Sequence, residues 1–159
     1  MYFKKFLFAL FVLFSSTSIS YSVSAPDFQL QDLDGNYVKL SEQKGKVVFI
    51  DFWATWCPPC RASLPAVKQL NKLKAGNPNF IVLGINVGEN RATIDKFIKE
   101  HDIDYKILLG ENRVSVAYAV NGIPAFFIID KSGEVVRRYA GYTKGLEKEW
   151  LETVDKLLK

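Results

Sequence analysis

The chain has 159 residues, 48% of them hydrophobic and 24% charged, which suits one globular domain with a full core and excludes a disordered chain. The net charge of +4 provides no basic field of the kind nucleic acid requires. Two cysteines are too few for a disulfide-built miniprotein.

Lys4 and Lys5 precede nine apolar residues, 6–14, and then Ser15, Ser16, Thr17 and Ser18. A positive start, a short apolar stretch and small polar residues are the layout of an export signal. Nine residues fall short of the about 18 that span a membrane. Residues 1–25 are therefore expected to be a signal peptide or, if uncleaved, an N-terminal membrane anchor, with 26–159 as a single folded domain. Val23-Ser24-Ala25 and Ser20-Tyr21-Ser22 are the candidate cleavage sites. Either outcome predicts a periplasmic or otherwise extracytoplasmic, oxidising setting.

Residues 28–32 and 37–40 flank Asp34-Gly35, a hairpin turn signal. Val47-Val48-Phe49-Ile50-Asp51-Phe52 is nearly continuous apolar sequence, as a central strand buried on both faces requires. Ala66, Val67, Leu70 and Leu73 follow at helical spacing. A second buried strand is predicted over 80–87, and Ile94, Phe97 and Ile98 mark a second amphipathic helix. A short helix over 113–118 precedes a strand at 125–129, a turn at Lys131-Ser132-Gly133 and an antiparallel partner at 134–139. Leu146, Trp150, Val154, Leu157 and Leu158 mark the last helix. The order β-α-β-α-β-β-α predicts an α/β fold, a mixed sheet flanked by helices on both faces.

Both cysteines stand in Trp56-Cys57-Pro58-Pro59-Cys60, where a buried strand meets a helix. A zinc site needs about four ligands, and the chain adds only one histidine to the pair. Covalent haem attachment needs His after the second cysteine, and position 61 is Arg. A structural disulfide here would close a loop of two intervening residues and constrain little chain. A redox dithiol fits best, with the structural bridge as its alternative. With Cys57 as N-cap, Pro58 and Pro59 occupy N1 and N2, where missing amides cost no helical bond. The Cys57 sulfur then accepts from the Cys60 N–H and few others, while the helix dipole still favours a thiolate. Cys57 is expected to be the exposed nucleophile and Cys60 the buried resolving thiol. No other cofactor is implied.

Residues 51–61, with Pro65 five residues after Cys60, resemble the active site of the thioredoxin superfamily, and Tyr118-Ala119-Val120-Asn121-Gly122-Ile123-Pro124 resembles its cis-proline segment. The signal, the opening hairpin and the longer stretch between Val87 and Pro124 resemble the exported, often membrane-tethered group of ResA, TlpA and CcmG. The resemblance implies a thioredoxin fold with an N-terminal β-hairpin and an insert before the cis-proline segment. It implies that Pro124 is cis and that the Gly122-Ile123 backbone is free to pair with an extended substrate. Trp53, Trp56, Pro58 and Pro59 would rim the dithiol, although core packing competes for Trp53. Asp51 matches a buried acid serving proton transfer, its ionisation pushed up by desolvation. Glu89 matches an active-site glutamate, with an acid at a helix start as the plainer alternative. Gly84 stands where thioredoxins carry a lysine counter-ion, leaving open which acid handles the proton. His101 reads as a packed or capping residue.

The function this resemblance implies is reduction of protein disulfides, apocytochrome c among the substrates, with electrons from a membrane thiol donor. Net oxidation or isomerisation of disulfides is the runner-up. A non-catalytic module that holds clients or delivers metal is the third reading, disfavoured for copper because one His and one Met supply few ligands.

Overall fold

The computed structural model describes residues 23–159; the segment 1–22, with the expected export signal, lies outside them. The chain runs β1 (Val23–Ser24), β2 (Gln29–Gln31), β3 (Tyr37–Lys39), a 3-10 turn at Leu40–Gln43, β4 (Val47–Trp53), α1 (Pro58–Leu73), β5 (Phe80–Val87), α2 (Arg91–His101), β6 (Lys106–Gly110), α3 (Asn112–Ala117), β7 (Ala125–Ile129), β8 (Glu134–Ala140) and α4 (Leu146–Leu158). Six strands form one sheet in the order β1-β8-β7-β4-β5-β6. β4 pairs parallel with β5 and antiparallel with β7, and β5 pairs parallel with β6. All seven residues of β4 are buried, which explains its unbroken apolar sequence.

Alternation along β4 feeds two cores. Val47, Phe49 and Trp53 face a cluster completed by α1, α2 and α4. Val48, Ile50 and Phe52 face the hairpin, the 3-10 turn and α3. Trp150 of α4 is fully buried, its ring 5.0 Å from that of Phe49 and 4.5 Å from that of Phe126. The hairpin β2–β3 forms a separate two-stranded sheet. Its turn is closed by Asp32, which accepts from the Asp34 and Asn36 amides and from Lys106 at 2.8 Å. Gly35 at φ +85° supplies the left-handed step.

Three expectations change. The stretch before Pro124 contains an edge strand, β6, as well as the short helix. Its apolar residues are too few for periodicity to separate strand from helix. Leu73, expected on the inner face of α1, is exposed at the helix end. The folded body also begins ahead of position 26. Val23 and Ser24 pair with Val135 and Glu134, and the Ala25 amide donates to the Gly133 carbonyl.

Strand directions gather the functional loops at one pole. β4 ends at Trp53 beside Asn86 of β5, and Phe52 lies beside Ala125, the first residue of β7. The loops 54–57, 88–90 and 118–124 therefore meet over the start of α1.

Candidate active site

The strand-to-helix turn is tight: the Cys57 amide donates to the Ala54 carbonyl, and α1 begins at the next residue. Cys57 is the N-cap. Its Sγ accepts from the Cys60 N–H at 3.2 Å, with Pro58 and Pro59 at N1 and N2, as the spacing predicts. The two cysteines are joined as a disulfide, with Cα atoms 5.3 Å apart. Cys57 Sγ also lies 3.6 Å from the Ile123 carbonyl oxygen, and the Ile123–Pro124 peptide is cis. Pro124 is buried, Ile123 half-buried and Gly122 exposed. An extended chain laid beside residues 122–123 would thus pass directly over the sulfur.

The expected exposure of Cys57 does not hold in this oxidised state. It is 2% exposed, covered by the cis-proline segment, and Cys60 is buried too. The chain neighbours of Cys57 are exposed: Trp56, at 65%, Pro58 and Pro59. Trp53 provides no rim. It is 4% exposed, and its ring lies 5.5 Å from that of Phe97, because its position on β4 points it into the core under α2.

The two acids differ sharply. Asp51 lies mid-β4, on the face that carries Phe49 and Trp53 and packs beneath the cysteine pair. It is 3% exposed, its Oδ1 has no hydrogen-bond partner, and burial pushes its carboxyl up to about 8. Its neighbour across the sheet is Gly84. A Cβ at Gly84 would come within 2.6 Å of Ile107 Cδ1, 2.9 Å of Tyr105 Cε2 and 3.2 Å of Trp53 Nε1. Glycine carries no counter-ion, and the side chains of Ile107, Tyr105 and Trp53 crowd the space one would need. Burial, and then the charges of Asp51 and Asp104, hold the Tyr105 phenol well above its ordinary range.

Glu89 is half-buried, and its carboxylate is already engaged. It accepts from the Thr55 amide at 2.7 Å, from the Thr55 hydroxyl, and from Asn86 Nδ2 at 2.7 Å. Thr55 and Asn86 were not singled out from sequence. A polar residue inside the apolar run of β5 was the available signal for Asn86. His101 is packed, as expected: its ring lies 4.1 Å from that of Phe97. Among the described residues no group of three or more His, Cys, Asp and Glu side chains gathers as a metal site. Nor is any described helix long and apolar enough to cross a membrane.

Residues 22–154 match the protein family described as Redoxin. This chain is a redoxin. It is 34% identical over 140 residues to thiol-disulfide oxidoreductase ResA of Geobacillus thermodenitrificans, covering 87% of this chain and 80% of that one. It is 36% identical over 126 residues to ResA of Bacillus subtilis, covering 78% of this chain and 69% of that one. Among solved structures, a thiol:disulfide interchange protein of the thioredoxin family from Chlorobium tepidum superposes with a TM-score of 0.78 at 28% identity, over 89% of the redoxin and 100% of that chain. The fold is the thioredoxin fold, and with both motif cysteines paired the redoxin is a thiol-disulfide oxidoreductase.

Proposed function

We propose that this redoxin is an extracytoplasmic protein-disulfide reductase acting through Cys57 and Cys60. The Cys57 thiolate attacks a client disulfide, forming a mixed disulfide and releasing one client sulfur as a thiolate that takes up a proton. Cys60 then gives up its proton and attacks the Cys57 sulfur, breaking the Cys57–client bond; the second client sulfur leaves as a thiolate and takes up a proton. The client gains two electrons and two protons, and the enzyme is left as the Cys57–Cys60 disulfide. Asp51, on the same face as the pair and with its carboxyl pushed up to about 8 by burial, accepts the Cys60 proton in its ionised form. Trp56, Pro58 and Pro59 cover an extended client, and the Gly122-Ile123 backbone beside Pro124 pairs with it.

The observation that carries the direction is the poor solvation of the Cys57 sulfur. Of the amides at the start of α1, only that of Cys60 reaches it, because positions 58 and 59 are proline. A helix start with a single amide on the sulfur stabilises the thiolate weakly, which favours the disulfide form of the enzyme and makes the couple reducing. The resemblance to ResA, TlpA and CcmG suggests apocytochrome c as a client and a membrane thiol donor as the source of electrons. Strand register places the first described residues relative to the dithiol. Val23 pairs with Val135, which lies beside Ile129, and Ile129 lies beside Val48 at the start of β4. Val23, the first described residue, thus lies toward the pole opposite the dithiol.

Equilibration with glutathione and dithiothreitol tests the direction. The expected potential is close to the thioredoxin value of about −270 mV. A value near about −120 mV, typical of a strong oxidase, would overturn the reductase reading in favour of disulfide formation.

A further inference from the structure

Glu89 sits at the active-site pole, yet nothing places its carboxylate at a sulfur. Each of its hydrogen bonds leads elsewhere. Oε2 accepts from the Thr55 amide and from Asn86 Nδ2, Oε1 pairs with the Thr55 hydroxyl, and the Glu89 amide donates back to Asn86 Oδ1 at 3.3 Å. Asn86 is buried on β5 directly beside Trp53, the last residue of β4. Its backbone is packed against β6 so closely that a Cβ at Gly110 would lie 2.1 Å from its carbonyl oxygen. The side chain is therefore fixed by the centre of the sheet. Thr55, by contrast, lies in the irregular turn between β4 and α1, two residues before Cys57 and next to the exposed Trp56.

We propose that Thr55 and Asn86 are positioning residues of the dithiol, with Glu89 as the clasp between them. This rests on the dithiol-exchange reading above. The turn 54–57 must deliver Cys57 at one angle, so that Sγ meets the Cys60 amide on one side and the Ile123 carbonyl on the other. One backbone bond, Cys57 N–H to Ala54 carbonyl, closes that turn internally. The Glu89 carboxylate takes both donors of Thr55 and ties the turn to β5. Charge-assisted bonds are short and directional, so a two-point hold on one residue fixes its orientation as well as its position. Losing it lets the turn slacken, and small displacements of a nucleophile are costly in rate.

The test uses the full reduced chain and its rate with 5,5′-dithiobis(2-nitrobenzoate) and with a disulfide-bonded peptide. Thr55→Val, which keeps the amide and removes the hydroxyl, is expected to slow exchange about 10-fold at a nearly unchanged melting temperature. Thr55→Ser is expected to recover the parent rate to within about twofold. In a double-mutant cycle with Glu89→Gln, the two losses should be markedly less than additive, because both cut one clasp. Parent rates in Thr55→Val, failure of Thr55→Ser to rescue, or full additivity would overturn the positioning role while leaving dithiol exchange intact. A parent inert to both disulfides would overturn the exchange reading, and the positioning role with it.

Discussion

At pH 8 the Asp51→Asn variant should unfold at distinctly higher denaturant than the parent, and at pH 4 the two should nearly coincide. Burial raises the folded-state ionisation of Asp51 from 3.8 to about 8. Between those values the folded protein keeps a proton that the unfolded chain releases. The unfolded state therefore binds fewer protons, and stability falls as pH rises. The loss is about 1.4 kcal/mol per pH unit across that window, up to roughly 6 kcal/mol in all, and is complete above the folded value. Asparagine fills the same space without ionising, so the gap between variant and parent should open steadily from about pH 4 and level off past about 8. Urea titrations at four or five pH values measure it. A gap independent of pH would mean that Asp51 ionises normally. Kinetics should move the other way. Resolution of a mixed disulfide by Cys60 should slow about 100-fold in Asp51→Asn, because the thiol proton loses its acceptor. The parent's rise in resolution rate toward a midpoint near 8 should vanish with it.

The Cys60→Ser variant is expected to stop halfway. Cys57 can still attack, but nothing displaces it from the client, so a covalent enzyme–client adduct should accumulate and run as a reducible band on denaturing gels. Turnover with a peptide disulfide should drop at least 1,000-fold relative to the parent, as for loss of a nucleophile that works as part of a unit. Cys57→Ser should form no adduct at all. The reverse pattern, with adduct in Cys57→Ser and none in Cys60→Ser, would exchange the two roles. The asymmetry follows from position: Cys57 caps α1 beside the Ile123 carbonyl, while Cys60 lies one turn inside the helix.

What the sequence carries locally, it carries legibly. Two prolines after Cys57 place it at a helix start, because proline is accepted at N1 and N2 and resisted deeper in a helix. The runs that became β4, β5 and β7 declare central strands through their unbroken apolar character, and Asp34-Gly35 declares its turn. The losses are all non-local. β6 earns its place as a strand only by pairing with β5, so its five residues look ambiguous alone. Trp53 and Trp56 stand three residues apart and core packing competes for Trp53, but only register decides it: Trp53 lies on β4 and points into the core while Trp56 leaves the sheet. Glu89 grips a residue 34 positions away, which no spacing rule anticipates. Gly84 is a missing counter-ion when read along the chain. In space it is the place beside Asp51 on β5 that the side chains of Tyr105, Ile107 and Trp53 already crowd.

Alkylation puts the nucleophile itself under test. The oxidised site covers both sulfurs, so the redoxin must first be reduced and then treated with iodoacetamide at pH 7, with the adducts mapped by mass. Cys57 should take the label quickly, with a rate midpoint below the about 8.5 of a free thiol, and Cys60 should stay unmodified. Label on Cys60 first, or slow and equal labelling of both, would contradict an ionised Cys57 as the atom that opens client disulfides.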